Sequence, residues 1–151
     1  MIMKTYRFTL KRELLHDGEP VKIHKAKEAA AYIAKNVFPE GELFRESCYI
    51  LTLNANHEVT GVSLLSLGGT SSTDIDVKIA CKTAIEAMAR GVILTHNHPS
   101  GNTRPSRGDL EQTQRLKKAL GIFDIDLLDH IILTEKEYFS FAEETTAKIP
   151  A

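Results

Sequence analysis

The stretch THNHPSGNTRPSRGD, Thr95 to Asp109, holds two histidines one residue apart, two prolines, two glycines and a Ser106-x-x-Asp109 pair. His96 and His98 stand at i and i+2. If the preceding strand runs on to position 98, both imidazoles lie on one face and Asn97 points the other way. Pro99, Gly101 and Pro105 turn the chain back. Ser106 is a candidate N-cap, which puts Asp109 in the first turn of a helix, at its positive end. Two imidazoles and one carboxylate make a three-ligand set with a fourth position for water, the pattern of a catalytic zinc site. Such an ion lowers the pKa of its water and polarises carbonyls. It does not move the proton, so a separate base is needed. Two other readings stand beside this one. Ser106-x-x-Asp109 is also a capping box with Asp in place of Glu. Two histidines and a carboxylate also describe non-haem iron(II) oxygenases, although nothing else in the sequence points to their co-substrate.

The elements that position these residues follow from periodicity. Residues 4–10 alternate, with Tyr6, Phe8 and Leu10 on one side, and predict a half-buried strand at a sheet edge. HDGEP reads as a turn, followed by a short strand at Val21–His24. Ala26, Ala29, Ala30, Ile33 and Val37 predict a helix over 25–37, stopped by Pro39. Residues 46–54 are apolar on both faces, as in a covered central strand. NANH then turns into a hairpin partner over 58–67. Ser71, Ser72 or Thr73 can cap a helix running to Arg90 and ended by Gly91, with Ile75, Ile79, Ala80, Thr83, Ala84, Ala87 and Met88 as its buried stripe. Residues 92–95 predict an interior strand. A helix over 106–120 follows, with Leu110, Thr113, Leu116 and Leu120 inward, then a strand over 125–133. EYFSFAE is a candidate short strand and TTAKIPA a frayed tail. This order implies an α/β fold, a mixed sheet with helices on both faces. In such sheets sites form where strands end and helices begin.

The chain has 151 residues, the usual size of one domain. A net charge of −1 gives no electrostatic footprint for avid, salt-sensitive nucleic-acid binding. Its densest basic run, Arg104 to Lys118, reads as a solvated helix face. Cys48 and Cys81 lack CxxC spacing and read as buried free thiols. No stretch suits a signal peptide or a membrane span, so the expected location is the cytoplasm.

The spacing His-x-His, seven residues, Ser, two residues, Asp resembles the signature of the JAMM (MPN+) metalloprotease superfamily, and His96, His98, Ser106 and Asp109 fit it without a gap. HNHPSG, RESCYILTLNANHEV, GVILTHNHPSG and LLDHIIL together resemble the RadC branch over roughly residues 40–135. The resemblance implies a three-layer α/β/α fold of JAB/MPN, cytidine-deaminase-like architecture. It implies one domain over 1–151, with its core at about 40–141 and the strand and helix of 4–37 packed on it. It further implies a zinc-dependent hydrolase of peptide or isopeptide bonds with one zinc per chain, held by His96, His98 and Asp109. Glu46 matches the family's general acid/base, a role its own sequence context does not suggest. Ser106 would donate a hydrogen bond to the tetrahedral oxyanion. The chain departs from the family in two places. The residues before Glu46 are too few for the helical N-terminal domain usual in RadC proteins. Asp74-Ile75-Asp76-Val77-Lys78 stands where relatives tend to have HPR.

Other residues invite weaker readings. Cys48 shares a strand face with Glu46 and could approach the metal, but a packed thiol is the simpler expectation. His130 reads as a satisfied core histidine or a buttress. His16, His24 and His57 lie in turn-like contexts. The expected partner is an unknown protein or peptide substrate. The alternative function is a RadC-type accessory or interaction module in DNA repair with little or no peptidase activity, associated indirectly with DNA-bound complexes.

Overall fold

A computed structural model describes residues 17–38, 43–68 and 74–150. Within them the order is α1 (Ala26–Asn36), β1 (Ser47–Leu53), β2 (Val59–Leu67), α2 (Val77–Glu86), β3 (Gly91–Asn97), α3 (Arg107–Gly121), β4 (Asp126–Leu133), β5 (Glu137–Ser140) and β6 (Thr145–Lys148). The six strands form one sheet in the order β2-β1-β3-β4-β5-β6. β3 and β4 are parallel, joined by the α3 crossover, and every other pair is antiparallel. The α/β, mixed-sheet expectation is met.

The central strands are apolar on both faces because both are covered. Leu51, Leu53, Ile93, Ile131 and Leu133 pack under α1 through Ala26, Ala29, Ala30 and Ile33. Ile50, Val92 and Leu94 pack on the opposite face under Ala80 and Ala84 of α2 and Leu116 and Leu120 of α3. The alternation of neighbours between the two clusters is the two-residue period of a strand. At Gly91 a Cβ would come within 2.7 Å of the Leu128 side chain, so the start of β3 needs a glycine for close approach to β4.

The structure corrects several expectations. Asp76, not a residue of 71–73, caps α2, its carboxylate accepting the Lys78 N–H at 2.9 Å. The helix stops at Glu86 rather than Arg90. Met88, not Gly91, takes the left-handed φ (53°) after it, and Gly91 already belongs to β3. The buried stripe of α2 is Ala80, Cys81 and Ala84, while Ile79 and Met88 face solvent. Leu110 is also exposed on α3. The tail is not frayed, since Thr145–Lys148 pairs with β5. The strand expected at Val21–His24 is a single bridge, Lys22 to Glu58. The strand expected over 4–10, Pro39, residues 71–73 themselves and His16 lie outside the described residues.

Candidate metal centre

Three element ends meet at one edge of the sheet: the entry to β1, the exit from β3 and the start of α3. In the β1–β3 register Cys48 faces His96, and continuing that antiparallel register puts Glu46 level with His98. β3 ends at Asn97, yet the His98 N–H still donates to the Leu133 carbonyl at 2.9 Å, so its pairing with β4 runs one residue further. This is the continuation that the same-face arrangement of the two histidines requires. The rings stand 4.8 Å apart, with their Nε2 atoms 2.9 Å from each other. The return turn closes through the Gly101 N–H to the His98 carbonyl, with Gly101 at φ 77°, a conformation that favours glycine. His98 Nδ1 lies 2.7 Å from the Asn102 carbonyl. A carbonyl only accepts, so Nδ1 carries the proton, and in the neutral ring the Nε2 lone pair faces the cluster.

Ser106 caps α3. Its Oγ accepts the Asp109 N–H at 3.1 Å, and Asp109 Oδ2 accepts the Ser106 N–H at 2.7 Å. The capping box is therefore real. It does not compete with the site reading, because the same carboxylate reaches His96 Nε2 through Oδ1 at 3.2 Å and His98 Nε2 through Oδ2 at 3.5 Å. Burial works against the charged form of Asp109, but the His96 and His98 imidazoles outweigh it and hold the carboxyl far below the usual range. Burial likewise works against a charged His98, and Asp109 with the Asn102 carbonyl reverses it, raising the pKa.

Glu46 is buried, its Oε1 4.0 Å from His96 Nε2. Glu46, His96, His98 and Asp109 offer ligand atoms that all lie within 4.8 Å of one another, a group that could hold a metal ion. Tetrahedral zinc with ligands at about 2.0–2.1 Å sets them roughly 3.3 Å apart. The three contacts among His96, His98 and Asp109, at 2.9, 3.2 and 3.5 Å, bracket that spacing. The Glu46 oxygen lies outside it. Two carboxylates turned onto imidazole nitrogens in a pocket shielded from water are costly without a cation. The donor set thus fits a metal.

Cys48 is not one of this group. It is buried, and desolvation, then Glu46 and Asp109, push its thiol well up, so it packs as a protonated core side chain. His24 and His57 lie against each other, with ring centroids 5.0 Å apart, and join no metal group among the described residues. Ser106 is solvent-exposed at the rim. A cleft of about 560 Å³ opens beside His98, lined also by Asn97, Pro99, Gly101, Leu133 and Thr134.

Two residues do more than the sequence reading assigned them. Asn97 turns to the other face, yet its Oδ1 accepts the Ser47 N–H at 2.8 Å while its Nδ2 donates to the carbonyls of Arg45 (2.9 Å) and Leu43 (3.2 Å). It moors the segment that carries Glu46. A lone amide inside an apolar strand was the available signal, since a buried amide needs partners. His130 does more than buttress. Its Nε2 lies 2.8 Å from His96 Nδ1 and its ring stacks on Phe141 at 4.4 Å.

The sequence model of the RadC-like JAB domain matches residues 23–146. A UPF0758 protein of Flavobacterium johnsoniae is 43% identical over 104 residues, covering 69% of this chain and 45% of its own length. A UPF0758 protein of Porphyromonas gingivalis is 40% identical over 104 residues, covering 68% and 46%. A UPF0758 protein of Thermotoga maritima is 38% identical over 135 residues, covering 89% and 58%. The chain spans about half the length of the curated relatives it matches. With a family match over most of its length and a histidine–carboxylate cluster on a mixed α/β/α sheet, the chain belongs to the RadC-like JAB domain family.

Proposed function

We propose that the chain is a zinc-dependent JAMM-type hydrolase of peptide or isopeptide bonds, with one zinc held by His96, His98 and Asp109. The observation that carries this reading is the convergence of those three side chains within 3.5 Å, with the Glu46 carboxylate 4.0 Å from His96. A bound zinc ion would supply Lewis acidity, lowering the pKa of a water molecule and polarising the scissile carbonyl. Glu46 then has the work of a general base: it takes the proton as the water attacks and returns it to the leaving amine. Its place outside the ligand spacing suits a base, which must not be consumed as a ligand. The Ser106 Oγ uses acceptor capacity in capping α3 and keeps its own O–H, which can donate to the developing oxyanion.

The test is turnover of a panel of peptide and isopeptide substrates by zinc-loaded wild type and by Glu46→Gln. The variant should keep its metal and lose about 10²- to 10⁴-fold in rate. Unchanged turnover in Glu46→Gln would remove Glu46 from the mechanism.

A further inference from the structure

We propose that His130 is a positioning residue for the centre: it fixes the His96 tautomer that turns the Nε2 lone pair towards His98 and Asp109. This rests on the reading of His96 as a metal ligand. The direction of the hydrogen-bond chain can be read from its far end. Thr113 Oγ1 lies 2.6 Å from the main-chain carbonyl of Asp109. A carbonyl cannot donate, so the single hydroxyl proton of Thr113 is committed there. In its other contact, 2.6 Å to His130 Nδ1, Thr113 must therefore accept, and the proton sits on His130 Nδ1.

His130 is 1% exposed, and among the described residues no carboxylate hydrogen-bonds to its ring. A ring so buried, with no counter-charge bonded to it, carries a single proton. With one proton already on Nδ1, its Nε2 is a lone pair. His96 Nδ1, 2.8 Å away, must then be the donor. A neutral His96 with its proton on Nδ1 has its lone pair on Nε2, the atom 3.2 Å from Asp109 and 2.9 Å from His98. An unconstrained imidazole samples both tautomers, and only this one can ligate through Nε2.

The chain runs from one candidate ligand, His96 on β3, through β4 and α3 to the backbone of another, Asp109. The Asp109 carbonyl, the Thr113 hydroxyl, the His130 ring and the His96 ring are thus set together by the docking of α3 on β4. The Phe141 ring, nearly parallel to His130 at 8°, holds that imidazole in plane.

The experiment reads the proton position directly, by nitrogen NMR of ¹⁵N-histidine-labelled wild-type protein before and after zinc addition. The expected result is a proton on His96 Nδ1 and none on His130 Nε2 in both states. A shared proton bonded to His130 Nε2 would overturn the proposal. Failure of the wild type to take up zinc would sink the metal-centre reading instead, while the metal-free spectrum still decides the proton direction. Thr113→Val, at a half-buried position, supplies the second arm, since removing the hydroxyl frees His130 to take either tautomer. Both it and His130→Phe should weaken zinc binding in competition with a chromophoric chelator, His130→Phe by about 10- to 100-fold. A folded Thr113→Val with wild-type zinc affinity and a single, unchanged His96 tautomer would contradict the relay, even if His130→Phe did not fold.

Discussion

The two faces of one sheet differ sharply in what they bury. Under α1 the strands β1, β3 and β4 bury Leu51, Leu53, Ile93, Ile131 and Leu133, and the polar side chains of β3 on that face, Thr95 and Asn97, bond to the main chain. Under α2 and α3 the same strands start alike, with Ile50, Val92 and Leu94, then turn to Cys48, His96 and His130 at the end where α3 begins. On the first face apolar volume dominates, and Thr95 and Asn97 hold the main chain in place. The second gathers its buried imidazoles, His96 and His130, side chain to side chain, so each must find a partner of the right kind. Both faces carry an apolar core, and the chemistry lies at one end of the second. Substitutions on the two should separate stability from metal binding.

The largest effect expected from that contrast is loss of the centre with the fold intact. His98→Ala should lose stoichiometric zinc and hydrolysis together while the circular dichroism spectrum stays native. A variant that still binds one zinc with wild-type affinity would break the comparison. Next, Ile33→Ala, at a fully buried position of α1 facing the sheet, should cost about 2–5 kcal/mol in chemical denaturation and leave zinc affinity unchanged. Coupled loss of zinc affinity in the folded variant would show that the faces are not independent. Glu46→Gln should do the reverse and raise the stability of the metal-free protein by about 1 kcal/mol, because it removes one of two buried carboxylates assembled for function.

The smallest effect is a pH dependence. The folded pKa of His98 is raised above its ordinary 6.5, so folding favours its protonated form. That contribution is fully present below 6.5 and is lost as pH rises through the higher folded value. Metal-free stability should therefore fall across that window, and His98→Gln should flatten the slope. Zinc affinity should move the other way and weaken as pH falls, because the ligand must be deprotonated.

Much of this contrast was legible in the sequence. The strand cores at 46–54, 92–95 and 125–133 were readable because a strand buried on both faces is continuously apolar. His96, His98 and Asp109 were readable because a two-residue period and an N-cap fix where their side chains go. The helix limits of α2 were not. The helix starts later, capped by Asp76, and Met88 took a left-handed φ that composition assigns to glycine. The β6 strand was missed because Thr145–Lys148 has little hydrophobic content and owes its form to pairing with β5. Asn97 and His130 were underread for a shared reason. Each acts through a partner about 34 to 54 residues away in sequence, a relation that local periodicity does not encode.

The most direct test is elemental analysis of protein purified without a histidine tag, paired with X-ray absorption at the zinc edge. One zinc per chain in the wild type, with two imidazole nitrogens among its nitrogen and oxygen ligands, is the predicted result. No stoichiometric metal after zinc loading, or a sulfur ligand from Cys48 in the absorption spectrum, would contradict the centre built by His96, His98 and Asp109.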